Sequence, residues 1–238
     1  MVNGVVVERR EGTPQGGPLS PLLSNIYLDA LDRGLERRGL AFCRYADDCN
    51  IYMSSPRAAE RVMGSIVRWI KDELKLEANP EKSAVGRPWE RQFLGFCINA
   101  QGRIEIAGRS LERFKDRVRD LWRSCQSLSS AELRDRWRAY LVGWWNYFRL
   151  AEVRRPLTEL DGWIRRHIRK CFWLRWHDKK GRLNALRRLG VRGRLLKMAY
   201  SSRGAWYLAR CGTLTTALRN TTLRRYGFLV PSDLAAAH

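Results

Sequence analysis

Apolar positions in the first hundred residues switch between a two-residue period and a helical one, and each switch predicts an element. The β-branched run Val5 to Val7 leads into a polar stretch and predicts a strand entering the turn Gly12-Thr13-Pro14-Gln15-Gly16-Gly17-Pro18. A helix follows: Ser20 can cap it, Pro21 suits its first position, and Leu22, Leu23, Ile26, Ala30, Leu31 and Leu35 form a stripe ending at Gly39. Ala41 to Tyr45 and Cys49 to Met53 predict a hairpin around Ala46-Asp47-Asp48. Pro56 opens a second helix with the face Val62, Met63, Ile66, Val67, Ile70 and Leu74, and Asn79-Pro80 marks the next turn. Phe93 to Ile98 and Arg103 to Ile106 predict another hairpin around Gln101-Gly102.

Beyond Ser110 the helical period takes over. Leu111, Phe114, Val118, Leu121 and Trp122 share one face, and Leu133, Trp137, Tyr140, Leu141, Trp144 and Phe148 share another behind the capping box Ser129-x-x-Glu132. A third helix is expected over Thr158 to Trp176, and shorter helical pieces broken by Gly190, Gly193, Gly204 and Gly212 follow. The expected architecture is therefore α+β, antiparallel hairpins with helices over residues 1–108, followed by an all-α domain over 109–238.

Charge divides the chain at the same place. Residues 1–108 hold 15 basic and 14 acidic side chains, whereas 109–238 hold 30 and 10, so almost the entire net charge of +21 lies in the second region. Of those 30 cations 25 are Arg, whose planar fork fits phosphate oxygens and stacks on bases. Eight of the ten Trp lie there too. For any one residue, a solvated Arg or a core Trp explains as much, but the joint asymmetry points to nucleic acid, RNA above all. Six cysteines without a C-x-x-C pair argue against a zinc module or a disulfide framework. No run of about 18 apolar residues and no signal-peptide core occur, so no membrane partner and a cytoplasmic location are expected.

Asp47 and Asp48 are the sharpest chemical feature. Adjacent strand residues point to opposite faces, so only a tight turn lets both carboxylates serve one site. Their mutual repulsion is relieved by a hard divalent cation such as Mg2+. Taken alone, Tyr45-Ala46-Asp47-Asp48 is explained equally well by an ordinary solvated acidic turn.

The ordered blocks Gly12 to Asn25, Arg44-Tyr45-Ala46-Asp47-Asp48, Asn79-Pro80-x-Lys82-Ser83 and Phe93-Leu94-Gly95-Phe96 resemble the palm of group II intron reverse transcriptases. Leu141 to Phe148 and Leu160 to Arg166 resemble the maturase-specific thumb region of that family, and Ser201 to Trp206 its C-terminal stretch. The resemblance implies a partial palm followed by a helical thumb/maturase domain, in an RNA-directed DNA polymerase that binds intron RNA, assists splicing and supports intron mobility. It makes Asp47 and Asp48 the catalytic, Mg2+-binding pair. It sets Tyr45 and Ala46 beside the primer end, Gln15, Gly16 and Gly17 in the nucleotide and template pocket, and Lys82 near the incoming triphosphate. Phe93, Leu94 and Gly95 would hold the primer strand, and Arg165, Arg166, Arg169, Lys170 and Arg203 would contact RNA. The implied partners are group II intron RNA, an RNA template and a DNA primer.

The family's further palm carboxylate and its fingers have no counterpart in the sequence; of the upstream acids, neither Glu8 nor Glu11 stands in a similar motif. An upstream fingers and palm polypeptide is thus an expected partner, and the chain alone is not expected to polymerise. No Cys/His-rich endonuclease module is seen, so DNA cleavage is not expected. The retron branch is disfavoured by the missing Val-Thr-Gly block and by the maturase-like region. A non-enzymatic RNA-binding splicing factor, or an inactive remnant, is the competing reading; a generic basic RNA-binding domain leaves the ordered palm blocks unexplained.

Overall fold

A computed structural model describes residues 19–123 and 127–236. The chain forms two compact units that divide between Phe93 and Leu94. In the first, helix α1 (Ser20–Arg37) precedes strands β1 (Ala41–Tyr45) and β2 (Asp48–Tyr52) and helix α2 (Pro56–Leu74). Ser20 is already helical and Leu19 occupies the cap position without a side-chain cap bond, because Pro21 fits either of the first two helical positions. Of the expected α1 stripe, Leu31 and Leu35 are buried while Leu22, Leu23 and Ile26 are exposed. Leu31 and Leu35 pack with Ile66 and Leu74 of α2 and with Phe42 and Ile51 of the hairpin. Ser55 caps α2 by accepting from the Ala58 N–H at 3.3 Å.

The second unit begins with the hairpin of β3 (Phe96–Ile98) and β4 (Ile104–Ile106), followed by α3 (Gly108–Arg123), α4 (Ser130–Phe148), α5 (Arg155–Arg175) and α6 (Lys179–Arg188). A 3-10 segment (Gly193–Tyr200) and the short helices α7 (Ala205–Leu208), α8 (Gly212–Ala217), α9 (Asn220–Arg225) and α10 (Pro231–Ala235) complete it. The boundary expected near residue 108 therefore moves to Phe93–Leu94. The second hairpin is the reason: the Ala107 N–H donates to the Gly95 carbonyl at 3.0 Å, and the Glu152 carboxylate accepts from the Ile104 N–H at 2.7 Å. Ile106 is buried with Trp145, Phe148 and Leu157.

Helix α4 joins two cores. Leu133, Trp137 and Leu141 are fully buried with Phe114, Val118, Ile164 and Ile168, whereas Trp145 and Phe148 serve the smaller core under the hairpin. Its buried row therefore advances by four residues from Leu133 to Trp145. Trp144, expected in the stripe, is half-buried and instead lays its ring against Phe114 and Phe148 at 4.5 and 4.8 Å. The capping box forms as expected, with the Glu132 N–H donating to Ser129 Oγ at 3.2 Å and the Ser129 N–H to Glu132 Oε2 at 2.8 Å. Among the described residues no helix is long and apolar enough to cross a membrane.

Candidate catalytic hairpin and nucleic-acid interface

The first hairpin closes on a two-residue turn: Tyr45 pairs with Asp48, leaving Ala46 and Asp47 at the tip. Asp48 is thus the first residue of β2 rather than part of the turn, with Tyr45 as its cross-strand neighbour on the same face. Tyr45 is 64% exposed, and Asp47 and Asp48 are exposed as well. The other face, formed by Phe42, Arg44, Cys49 and Ile51, is turned inward. Burial, reinforced by nearby Asp32, pushes the Cys49 thiol up to about 11.

Ala46 adopts φ 54°, a left-handed conformation that its Cβ disfavours. Arg44 holds the chain there. Its guanidinium clasps both carboxylate oxygens of Asp32 on α1 at 2.7 and 2.5 Å, and also donates to Asn25 Oδ1 at 3.1 Å and to the Ala46 carbonyl at 2.8 Å. The hydrogen bond to Asp32 raises the Arg44 pKa further above its already high value. The tip is thereby tied to a helix one element away. Arg44 opens the motif Arg44-Tyr45-Ala46-Asp47-Asp48, but its partners Asp32 and Asn25 lie on another element, so sequence spacing could not reveal this clamp; the signal available was strand alternation, which turns Arg44 away from Tyr45.

Gln15, Gly16 and Gly17 lie outside the described residues. Lys82 is exposed, in a turn organised by Asn79, whose Oδ1 accepts from the Glu81 and Lys82 N–H groups at 2.9 and 3.3 Å. Phe93 is half-buried at the end of the first unit. Leu94 and Gly95 open the second with φ of 52° and 80°. A Cβ on Gly95 would lie 2.9 Å from Ser110 Oγ and 3.3 Å from the Phe148 ring, so close packing as well as φ favours glycine there. The Leu94 carbonyl accepts from Tyr147 Oη at 2.9 Å.

The five basic candidates of the second unit separate into two kinds. Arg169 donates to the Leu218 carbonyl at 3.1 Å and to Asn220 Oδ1 at 3.0 Å, and burial lowers its pKa. Arg165 lies 3.7 Å from Asp233, which also accepts from Arg224 at 2.5 Å. Both of these arginines tie α5 to the C-terminal segments. Arg166, Lys170 and Arg203 make no ion pair among the described residues.

Among the described residues no group of three His, Cys, Asp or Glu side chains is placed to hold a metal ion. Asp47 and Asp48 stand as a pair. Residues 3–98 match the family described as reverse transcriptase (RNA-dependent DNA polymerase), and residues 111–190 match the group II intron maturase-specific domain. That succession, a reverse transcriptase segment followed by a maturase-specific domain, supports a group II intron-type reverse transcriptase/maturase. Curated relatives include the retron Mx65 reverse transcriptase of Myxococcus xanthus, 43% identical over 31% of this chain and 18% of its own length. The retron Ec86 reverse transcriptase of Escherichia coli is 23% identical over 54% of this chain and 41% of its own length. The chain thus spans less than half the length of either relative. Both belong to the branch that the sequence disfavours; the maturase-specific match is what favours the group II assignment.

Proposed function

We propose that the chain is the palm and thumb portion of a group II intron-encoded RNA-directed DNA polymerase and maturase, which binds intron RNA, assists its splicing and supports intron mobility. The observation that carries this reading is the Asp47-Asp48 pair, the first on a clamped two-residue turn and the second opening β2, within the segment matching reverse transcriptases. Two adjacent exposed carboxylates offer hard oxygen donors that fit Mg2+, which when bound would neutralise charge on a transferring phosphate. In this reading Asp47 and Asp48 bind the ion, Tyr45 and Ala46 flank the primer end, and Gln15, Gly16, Gly17 and Lys82 meet template and nucleotide. Phe93, Leu94 and Gly95 support the primer strand. The excess of arginine in the second unit supplies phosphate contacts to intron RNA.

A two-ion site needs more anionic ligands than a pair of aspartates. The described residues bring no third acid to them, so catalysis in this reading draws a further carboxylate from outside the described residues. The same observation favours the second reading, a splicing factor that binds RNA without polymerising. The test mixes the 238-residue polypeptide with a fingers and upstream palm polypeptide and measures templated nucleotide incorporation with and without Asp47→Ala. The expected result is no incorporation by the polypeptide alone, incorporation by the mixture, and its loss on Asp47→Ala. RNA retention by a mixture that never incorporates nucleotide would favour the second reading, and incorporation indifferent to Asp47→Ala would overturn the role given to the pair.

A further inference from the structure

Helix α7 buries Leu208 completely yet leaves Trp206 and Tyr207 facing solvent, 37% and 53% exposed. Scattered exposed aromatics are common on protein surfaces, but these two are adjacent and each lies against a guanidinium. Arg166 stands 5.8 Å from the centre of the Trp206 ring and Arg203 4.6 Å from that of Tyr207. Arg203 also donates to the Tyr207 hydroxyl. Trp206 is held from within by His167, ring centres 4.8 Å apart, and His167 in turn by Trp163 at 4.1 Å. Arg119 lies 5.4 Å from the centre of the Trp163 ring. Burial first, then Lys170, Arg119 and Arg166, hold His167 down at about 4, so it backs Trp206 as a neutral ring at neutral pH. Arg166, Lys170 and Arg203 remain without a carboxylate partner among the described residues.

Rigid aromatic faces beside uncompensated cations suit a ligand with both flat faces and negative charge. A duplex hides its base faces in the stack, and an acidic peptide would satisfy the cations while offering nothing planar to the rings. We propose that Trp206 and Tyr207, flanked by Arg166 and Arg203, form a stacking platform for the unpaired bases of a single-stranded nucleic acid. The proposal rests on the reading of the second unit as nucleic-acid-binding and adds which form of nucleic acid this surface takes and where. Stacking keeps its dependence on the ring, whereas phosphate contacts keep theirs on charge, so the two can be separated by substitution.

The experiment measures binding of the full chain to labelled oligo(U), oligo(dT) and an RNA hairpin duplex with the same number of phosphates, across a salt series. Tyr207→Ala is expected to weaken single-strand binding about tenfold, leave duplex binding within about twofold, and leave the salt slope unchanged. Tyr207→Phe should bind like the parent, because the ring and not the hydroxyl is required. Arg203→Ala should instead lower the salt slope by about 1. The ratio of oligo(U) to oligo(dT) binding reports whether the sugar is read. Trp206→Leu is a second variant, interpreted only where its melting matches the parent, since Trp206 also packs on His167. Equal losses for duplex and single strand, or no loss on Tyr207→Ala, would overturn the platform while leaving RNA binding intact; failure of the parent chain to bind any probe would overturn both readings together.

Discussion

Arginine serves the two units in different ways. In the first, Arg44 is drawn inward and spends its donors on Asp32, Asn25 and the Ala46 carbonyl, so a near-neutral unit gains a rigid hairpin tip with its two acids outside. In the second, Arg165 and Arg169 do the same work for α5, yet Arg166 and Arg203 lie against exposed rings with no carboxylate partner among the described residues. Moving the second hairpin into the helical unit transfers one cation, Arg103, and one acid, Glu105, between 94 and 108, and so leaves the charge contrast intact. Cations in excess can remain unpaired only where apolar burial stabilises the fold without them. The helical unit meets that condition through Trp137, Phe114, Ile164 and their neighbours, which are almost wholly buried; the first unit has a far smaller buried core.

A single substitution should do most damage in the larger core. Trp137 is fully buried and its indole N–H donates to the Leu229 carbonyl at 2.8 Å. Trp137→Ala should cost about 3–5 kcal/mol. Half-buried Trp144, replaced in the same way, should cost roughly half as much. Urea unfolding followed by near-ultraviolet circular dichroism measures both, and a larger loss for Trp144→Ala would refute the two-core account of α4.

Next in size is a pH effect confined to the helical unit. His167 is held at about 4, below its ordinary 6.5, mainly by burial. Between those values the unfolded chain binds a proton that the folded one does not, so stability falls as pH drops from about 6.5 to about 4 and this contribution changes no further below that. The loss should approach about 3 kcal/mol. His167→Phe keeps a ring between Trp163 and Trp206 and should remove this part of the pH dependence. Parent and variant losing stability in parallel through the window would defeat the assignment.

What the sequence disclosed follows the range of the interactions. The capping box at Ser129 and Glu132, the first hairpin and the helix opening at Pro56 depend on neighbours within a few residues, and each forms, although Asp48, expected in the turn, opens β2 instead. Trp145 escaped notice because the stripe was drawn for one continuous core, whereas the end of α4 turns to a second one beneath the β3–β4 hairpin. Arg165 and Arg169 looked like their unpaired neighbours in sequence, since Asp233, Leu218 and Asn220 are about fifty residues or more away. His167 meets Trp163 one turn back on α5, at helical spacing, but its contact with Trp206, which joins α5 to α7, leaves no spacing signal either.

In the first unit the clamp around the hairpin tip should matter less than either Trp137 or His167. Arg44→Ala removes the clamp and leaves Asp32, whose side chain is 24% exposed, without its bidentate partner. A fully buried ion pair broken in this way costs more; with water reaching Asp32 the loss should be about 2 kcal/mol. Arg44→Lys restores the charge but not the fork, so it should recover only part of the loss. Melting of the whole chain is a poor measure, because two units need not unfold together. Cys49 supplies a local one: it sits beside Arg44 on the inward face of the hairpin, where burial holds its thiol unreactive. Labelling by a thiol reagent, read on the Cys49 peptide by mass spectrometry, should quicken about thirtyfold in Arg44→Ala, and exposed Cys43 serves as the internal control. Unchanged Cys49 labelling would mean that the apolar contacts of Phe42 and Ile51 alone fix the hairpin, and the contrast between inward and outward arginines would then hold only in the second unit.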